Sequence, residues 1–210
     1  VVELGESVSA PYCTKLLADM GAEVVKIEKP GVGDQAREYG PFLNDQPHHE
    51  RSGLFLYLNS NKQGITLDLD TPTGREILGE LLAKSQVFVH NLHPTEMDRL
   101  KISYDALRSY NDQLVMASIT PFGLTGPYRD YKAYDINLAA AGGICEGLGS
   151  PGREPLTFGT PEVGYFAGMA AASSVVIALL AGQGQHIDIA EVESMSGIYN
   201  GPEALSLIHI

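Results

Sequence analysis

Apolar residues fall in short blocks along this chain, and the spacing inside the blocks switches between the strand period and the helix period. Residues 1–4 read as a strand, residues 11–20 carry apolar positions at helical intervals, and residues 22–28 return to a strand that stops at Lys29-Pro30-Gly31. This opening is a βαβ pattern. A polar stretch from 31 to 53, with His48-His49-Glu50-Arg51 near its end, reads as an irregular excursion.

Beyond it the alternation resumes. Residues 65–69 predict a short strand, 71–84 a helix with Pro72 in its first turn, and 87–90 another strand. Residues 94–100 and 104–110 predict helices, 114–120 a buried strand ended by Pro121-Phe122-Gly123, and 135–141 a helix. A long apolar helix follows Pro161, and 186–190 alternates like a strand. Strands separated this regularly by helices imply an α/β fold of Rossmann type, a mostly parallel sheet covered on both faces. No internal repeat or interdomain linker stands out.

Size and charge narrow the function. With 210 residues, 44% of them hydrophobic, the chain can bury a sizeable core. Its net charge of −12 opposes nucleic acid or an anionic membrane as main partner. The two cysteines, Cys13 and Cys145, are too few for a disulfide framework; buried thiols and a cytoplasmic location are expected. No basic, then apolar, leader precedes the first strand. Residues 163–181 carry no charge and approach bilayer-spanning length, but their richness in Ala, Gly and Ser predicts a buried core helix instead.

Several chemistries can be weighed on the residues themselves. Glu28 ends the second strand, where an acid could hold a nucleotide ribose, but the turn Gly5-Glu-Ser-Val-Ser-Ala10 lacks the second and third glycines of a dinucleotide fingerprint. No serine sits in a Gly-x-Ser-x-Gly elbow. His90 and His93 lack further converging ligands, so no metal is expected and the histidines read as surface or loop residues. Among only 14 basic residues, Lys29, Arg99 and Lys132 fall after strands, where a parallel sheet gathers its ligand-binding loops. They could hold phosphates or be solvated surface charges.

Longer segments are more specific. Ala10-Pro11 followed by Leu16-Leu17-Ala18-Asp19-Met20-Gly21-Ala22-Glu23-Val24-Val25-Lys26-Ile27-Glu28 closely resembles the opening of the family III CoA-transferases, the CaiB/BaiF or formyl-CoA and carnitine CoA-transferase group. Asn59 to Leu69 with Thr71-Pro72-Thr73-Gly74, Val89-His90-Asn91-Leu92 with Asp98-Arg99-Leu100, Ser118 to Pro127, and Gly182 to Asp188 recur in the family's order.

The resemblance covers the chain to about Tyr199; residues 203–210 do not resemble the family's continuation, and 200–210 are expected to be a truncated or non-native tail. It implies that 1–199 form a CoA-binding large domain, that a second domain comes from a later segment, and that two chains thread through each other as interlocked rings. It also implies CoA contacts at Lys29, Leu67, Asn91, Leu92, Arg99 and Lys132. The family reaction moves CoA between an acyl-CoA and a free carboxylic acid through an aspartate, which forms a mixed anhydride and then an enzyme thioester.

Counting from Tyr134-Asp135, which matches a Tyr–acid pair in the family, that aspartate's place is Gly164. Two carboxylates could stand in. Glu162 would have to shift by two residues, whereas Asp135 reads as a group that orients its neighbours or caps the helix it begins. Restoring an aspartate at 164 is expected to create exchange activity if the pocket is otherwise intact. With Tyr134 and Gly164 in the places of a histidine and an aspartate, racemisation is disfavoured. Two rival roles remain: a non-catalytic CoA-binding subunit whose paralogous partner supplies the aspartate, and, on fold analogy alone, a nicotinamide oxidoreductase.

Overall fold

The computed structural model describes residues 1–150 and 152–195. Six strands form one sheet: β1 (Val2–Leu4), β2 (Val25–Glu28), β3 (Gln63–Thr66), β4 (Val87–His90), β5 (Val115–Thr120) and β6 (Gln185–Ala190). Their order is β3-β2-β1-β4-β5-β6, and every pairing is parallel. This is the doubly wound arrangement of a Rossmann fold, with its switch point between β1 and β4.

Helices cover both faces. On one, α1 (Ser9–Asp19) and α8 (Glu162–Ala181) lie over Val87, Val89, Val115, Ala117 and Ile119. On the other, α3 (Pro72–Ala83), α4 (Pro94–Leu100) and α5 (Tyr104–Leu107) cover Phe88 and Met116. All residues of β4 and β5 are buried, which is why these strands read as unbroken apolar runs rather than alternating ones. Caps agree with the sequence: Thr71 accepts from Gly74 N and Pro72 opens α3.

Some boundaries move. The strand expected at 65–69 is Gln63–Thr66, because its partner β2 ends at Glu28 opposite Thr66 and the ladder can go no further. Leu67 and Leu69 then turn toward the core. The polar excursion holds two 3-10 turns, Gln35–Glu38 and Leu43–Asp45, and ends in an unanticipated helix, α2 (Gly53–Leu58), capped by Ser52, which accepts from Phe55 N at 3.1 Å. Short helices α4 and α5 come where expected; α6 (Asp135–Ala141) matches its predicted span, and α7 (Ile144–Leu148) and α9 (Glu191–Ser194) were not anticipated. Residues 196–199 and the tail at 200–210 lie outside the described residues.

Expected as a core helix, α8 is buried along only one side. Gly164, Ala167, Gly168, Ala171 and Val175 are buried, and the small residues bring its backbone close to α1. Ile177 and Leu180, in contrast, are 68% and 83% exposed. By length and composition it could cross a bilayer, with 44% of its most apolar window buried. Its place over the sheet, beside α1, explains the division: one side meets protein, and the other meets nothing among the described residues.

Two polar features sit inside the core. Glu3 lies between two ammonium groups, Lys26 at 2.7 Å and Lys62 at 2.8 Å, while Lys26 also reaches Asp34 at 2.7 Å. All four side chains are at most 2% exposed. This cluster ties β1 to β2, to the approach of β3 and to the loop that carries Asp34.

The second corrects the reading of the histidines, because His90 is fully buried. Its Nδ1 accepts from Leu92 N at 3.2 Å, so Nε2 carries the hydrogen toward Ser118 Oγ at 2.7 Å, and Ser118 faces His186 Nε2 at 2.8 Å. Burial, with His186 adding to it, pushes the His90 imidazole down to about 3. The unfolded chain takes that proton near pH 6.5. Acidification between the two values therefore favours unfolding, by about 1.4 kcal/mol per pH unit below 6.5. We expect urea midpoints of the full-length protein to fall as pH drops from about 7 toward 5, and to fall less steeply in His90→Gln. Equal slopes in the two proteins would contradict this.

Candidate functional site

At the switch point the loops that leave β1 and β4 diverge and open a crevice at the carboxyl ends of the strands. Asn91 pins the two loops together. Its Oδ1 accepts from Glu6 N at 2.9 Å, and its Nδ2 donates to Glu6 O at 2.7 Å and to Ser9 Oγ at 3.1 Å. Ser7, at φ 62°, adopts the left-handed conformation that completes this turn, held by Asp34, which accepts from its amide at 2.8 Å.

Beside the pinned loops runs a cleft walled by Leu4, Ile27, Leu67 and Leu92 and rimmed by Lys29 and Arg99 together with six acidic residues, among them Asp68, Asp70 and Glu96. Four of the six residues expected to touch CoA thus converge. Asn91 does not line the cleft; its amide is spent on the loops, so its place in the site is to hold Leu92 there. Lys132 is exposed on the loop after β5 and also lies outside the cleft.

The cleft's cations are partly engaged. Arg99 contacts Asp70 at 2.5 Å and Glu96 at 2.5 Å, and Lys29 stands 3.7 Å from Asp70. The Arg99 hydrogen bond holds the Asp70 carboxyl below its usual range. These groups are well exposed, so water screens the pairs and a phosphate can replace the carboxylates. An apolar wall beside two cations can receive a nucleotide only where its phosphates displace Asp70 and Glu96 from Lys29 and Arg99.

Glu28 has no such freedom. Arg37 donates to both its oxygens at 2.8 Å, and Asp34 N adds a third hydrogen bond at 2.9 Å. Three of its four acceptor sites are thus taken by the protein itself, which counts against the ribose contact on which a nicotinamide reading rested.

A second constellation surrounds the first turn of α8. Asp135 does not cap its own helix; its Oδ1 accepts from Val163 N at 3.1 Å and its carboxylate also from Gly164 N, so it caps α8 from across the site. Burial raises its pKa and those two hydrogen bonds oppose the rise. Glu162 accepts from the Thr160 hydroxyl, and its other oxygen is buried without a partner among the described residues.

The expectation for residue 164 needs correction. A Cβ there would lie 2.8 Å from Val8 Cβ and 3.5 Å from Ser9 N, so the space an aspartate would use is already filled by α1. Gly168 is tighter still, at 2.6 Å from Ser9 O.

Reasoning from the sequence passed over Ser9 and Glu191. Ser9 is buried at the start of α1 and takes the hydrogen bond from Asn91, and its hydroxyl works against the burial that raises the Glu191 pKa. Glu191 directly follows β6, and the rule that ligand groups gather after parallel strands could have flagged it. Among the described residues no cluster of His, Cys, Asp and Glu has the makings of a metal site. Cys13 and Cys145 are buried, and burial pushes the Cys13 thiol up.

Comparison with known proteins gives these features a context. The chain is 33% identical over 204 residues to the succinate–glutarate CoA-transferase of Agrobacterium fabrum, covering 94% of this chain and 51% of that protein. It is 35% identical over 188 residues to the succinyl-CoA:(R)-benzylsuccinate CoA-transferase subunit BbsE of Thauera aromatica, covering 88% and 46%. The chain therefore spans about half the length of these relatives. In three dimensions it resembles a CaiB/BaiF family protein from Brucella suis, with a TM-score of 0.87 at 33% identity over 99% of this chain and 56% of that one. The family description CoA-transferase family III matches residues 1–202. With the parallel Rossmann sheet, the cleft at its switch point and this match over almost its whole length, the chain belongs to CoA-transferase family III.

Proposed function

We propose that the protein to which this chain belongs moves CoA between an acyl-CoA and a free carboxylic acid. The observation that carries the reading is the convergence of Lys29, Leu67, Leu92 and Arg99 on one cleft at the switch point, in a member of this family. Lys29 and Arg99 meet the phosphates there, as point charge and fork respectively. The leucines receive the adenine, and Asn91 keeps the two loops in register. The thioester end then runs toward the first turns of α1 and α8. The apolar side that α8 leaves uncovered supports an assembled state, interlocked with a second copy or with a paralogous chain. A cytoplasmic location accords with the two buried, unpaired thiols.

One observation favours a second reading. A side chain at residue 164, where the resemblance puts the family's nucleophile, would meet Val8, and one relative is named as a subunit, so the chain could hold CoA while a partner chain supplies the reactive carboxylate. The deciding experiment uses the full-length protein, purified alone. It is incubated with an acyl-CoA and a panel of carboxylic acids, and new CoA thioesters are followed by mass spectrometry. Turnover is expected under the first reading; CoA binding without turnover supports the second; absence of CoA binding overturns both.

A further inference from the structure

We infer that Ser118 and His186 are positioning residues for the cleft: through His90 they form a hydrogen-bond chain that ends on the amide of Leu92, so that protonating His186 weakens the hold on a ligand there. The inference rests on the reading of the cleft as a CoA site and adds what sets its response to pH.

The chain crosses three neighbouring strands. His90 and Ser118 are register partners on β4 and β5, and His186 lies on β6 opposite Met116, two residues before Ser118. Ser118 Oγ stands 2.7 Å from His90 Nε2 and 2.8 Å from His186 Nε2. At the other side of the His90 ring, Nδ1 accepts from Leu92 N at 3.2 Å, and Leu92 lines the cleft. His90 and Ser118 are fully buried, and His186 is half-buried.

A backbone amide can only donate, and this sets every hydrogen in the chain. Leu92 gives to Nδ1, so His90 carries its hydrogen on Nε2 and gives it to Ser118. Ser118 then gives its own hydrogen to His186 Nε2, which must be bare. His186 is neutral in this arrangement, with its hydrogen on Nδ1.

Protonation places a hydrogen on His186 Nε2, facing the one on Ser118. The hydroxyl can turn away, but no third group hydrogen-bonds it among the described residues, and an unpaired hydroxyl in the core is costly. Reversing the chain avoids that cost. His186 then donates to Ser118, Ser118 donates to His90 Nε2, and His90 moves its hydrogen to Nδ1. That hydrogen meets the Leu92 amide and drives it off the ring, which displaces a wall of the cleft.

The groups around His186 permit this titration. Its ring stacks on Tyr104 of α5 with centres 5.3 Å apart, and Arg108 lies 5.6 Å from the centre of the Tyr104 ring. Burial lowers the His186 pKa, while Asp188 on its own strand and Asp105 of α5 pull it back up. His90 itself stays neutral, because burial holds it at about 3.

The test measures CoA binding to the full-length protein by calorimetry between about pH 8 and pH 5, across the ordinary histidine range. Acid should weaken binding by about 5-fold or more in the wild type beyond its effect in His186→Gln, whose amide accepts from Ser118 but never charges. Titration of the CoA phosphates is common to both proteins and cancels. Ser118→Ala cuts the chain while leaving His186 to titrate, and it should respond as His186→Gln does. The sign matters too, since a cation acting through space on the CoA phosphates would strengthen binding.

A measurement on the wild type alone guards against variants that fail to fold. Followed by NMR with labelled histidine, saturating CoA should move the His186 titration to lower pH by about 0.7, the same 5-fold coupling seen from the other site. An acid response equal in wild type and His186→Gln, one retained in Ser118→Ala, or a His186 titration that CoA leaves in place overturns the inference and leaves the CoA reading standing. Absence of CoA binding at every pH overturns both.

Discussion

Replacing Glu3 by glutamine will cost the protein about 3–5 kcal/mol of stability, because it removes the counter-charge from two buried ammonium groups at once. Lys26 and Lys62 both contact Glu3, and both ammonium groups are buried with it. Burial works to raise the Glu3 pKa, but the two lysines outweigh it and hold the carboxyl below its usual range. Lys62 is the weaker side of the cluster, pushed down to about 8 by burial. In the variant it is the group that gives up its proton first, leaving Lys26 to Asp34 alone. Urea denaturation of the full-length protein followed at tyrosine measures the loss. A midpoint within error of wild type would mean that the cluster is wetter and looser than its burial indicates.

The second large effect concerns the glycines of α8. Gly164→Asp is expected to destabilise by about 1–3 kcal/mol, the usual cost of forcing atoms into a packed contact. It is also expected not to create exchange activity at residue 164. A carboxylate there must displace Val8, whose Cβ is a rigid branch point rather than the yielding end of a long chain. Val8→Ala does not remove that Cβ, so it relieves only part of the overlap. Gly168→Ala makes the comparison sharper, since its new methyl would meet backbone atoms of Ser9 and Cys13 that no side-chain change can clear. The measurement is again the denaturation midpoint, with thioester exchange assayed in parallel. Exchange gained by Gly164→Asp, with a hydroxamate trapped on residue 164 by hydroxylamine, would show that α1 and α8 can separate in this chain.

How far the site could be read in advance differs from residue to residue. Lys29 and Arg99 were legible because cations are scarce in an acidic chain and both follow strands of a parallel sheet, whose carboxyl-end loops converge. Leu67 and Leu92 came from the resemblance alone, since nothing distinguishes a cleft leucine from a core leucine in sequence. Asn91 and Asp135 were singled out as well, and the fold gives each a protein partner that the sequence does not indicate. An amide or a carboxylate announces the capacity to hydrogen-bond, and only the fold decides with what. Asn91 spends that capacity on Glu6, 85 residues away, and Asp135 on Val163, 28 residues on.

The succession of the six strands and the longer helices was legible in the chain, because a period of two or of 3.6 is a local property of a short segment. The parallel sheet was legible as well, since a strand joined to the next by a helix has one favoured way to return. Only the fold sets what each polar group meets: the burial of Glu3 between two lysines, the closing of residue 164 by Val8, and the hold of Asp135 on the first turn of α8. Those outcomes depend on distances between helices and on side chains far apart in the chain, set to within an ångström by packing, and no local pattern encodes them.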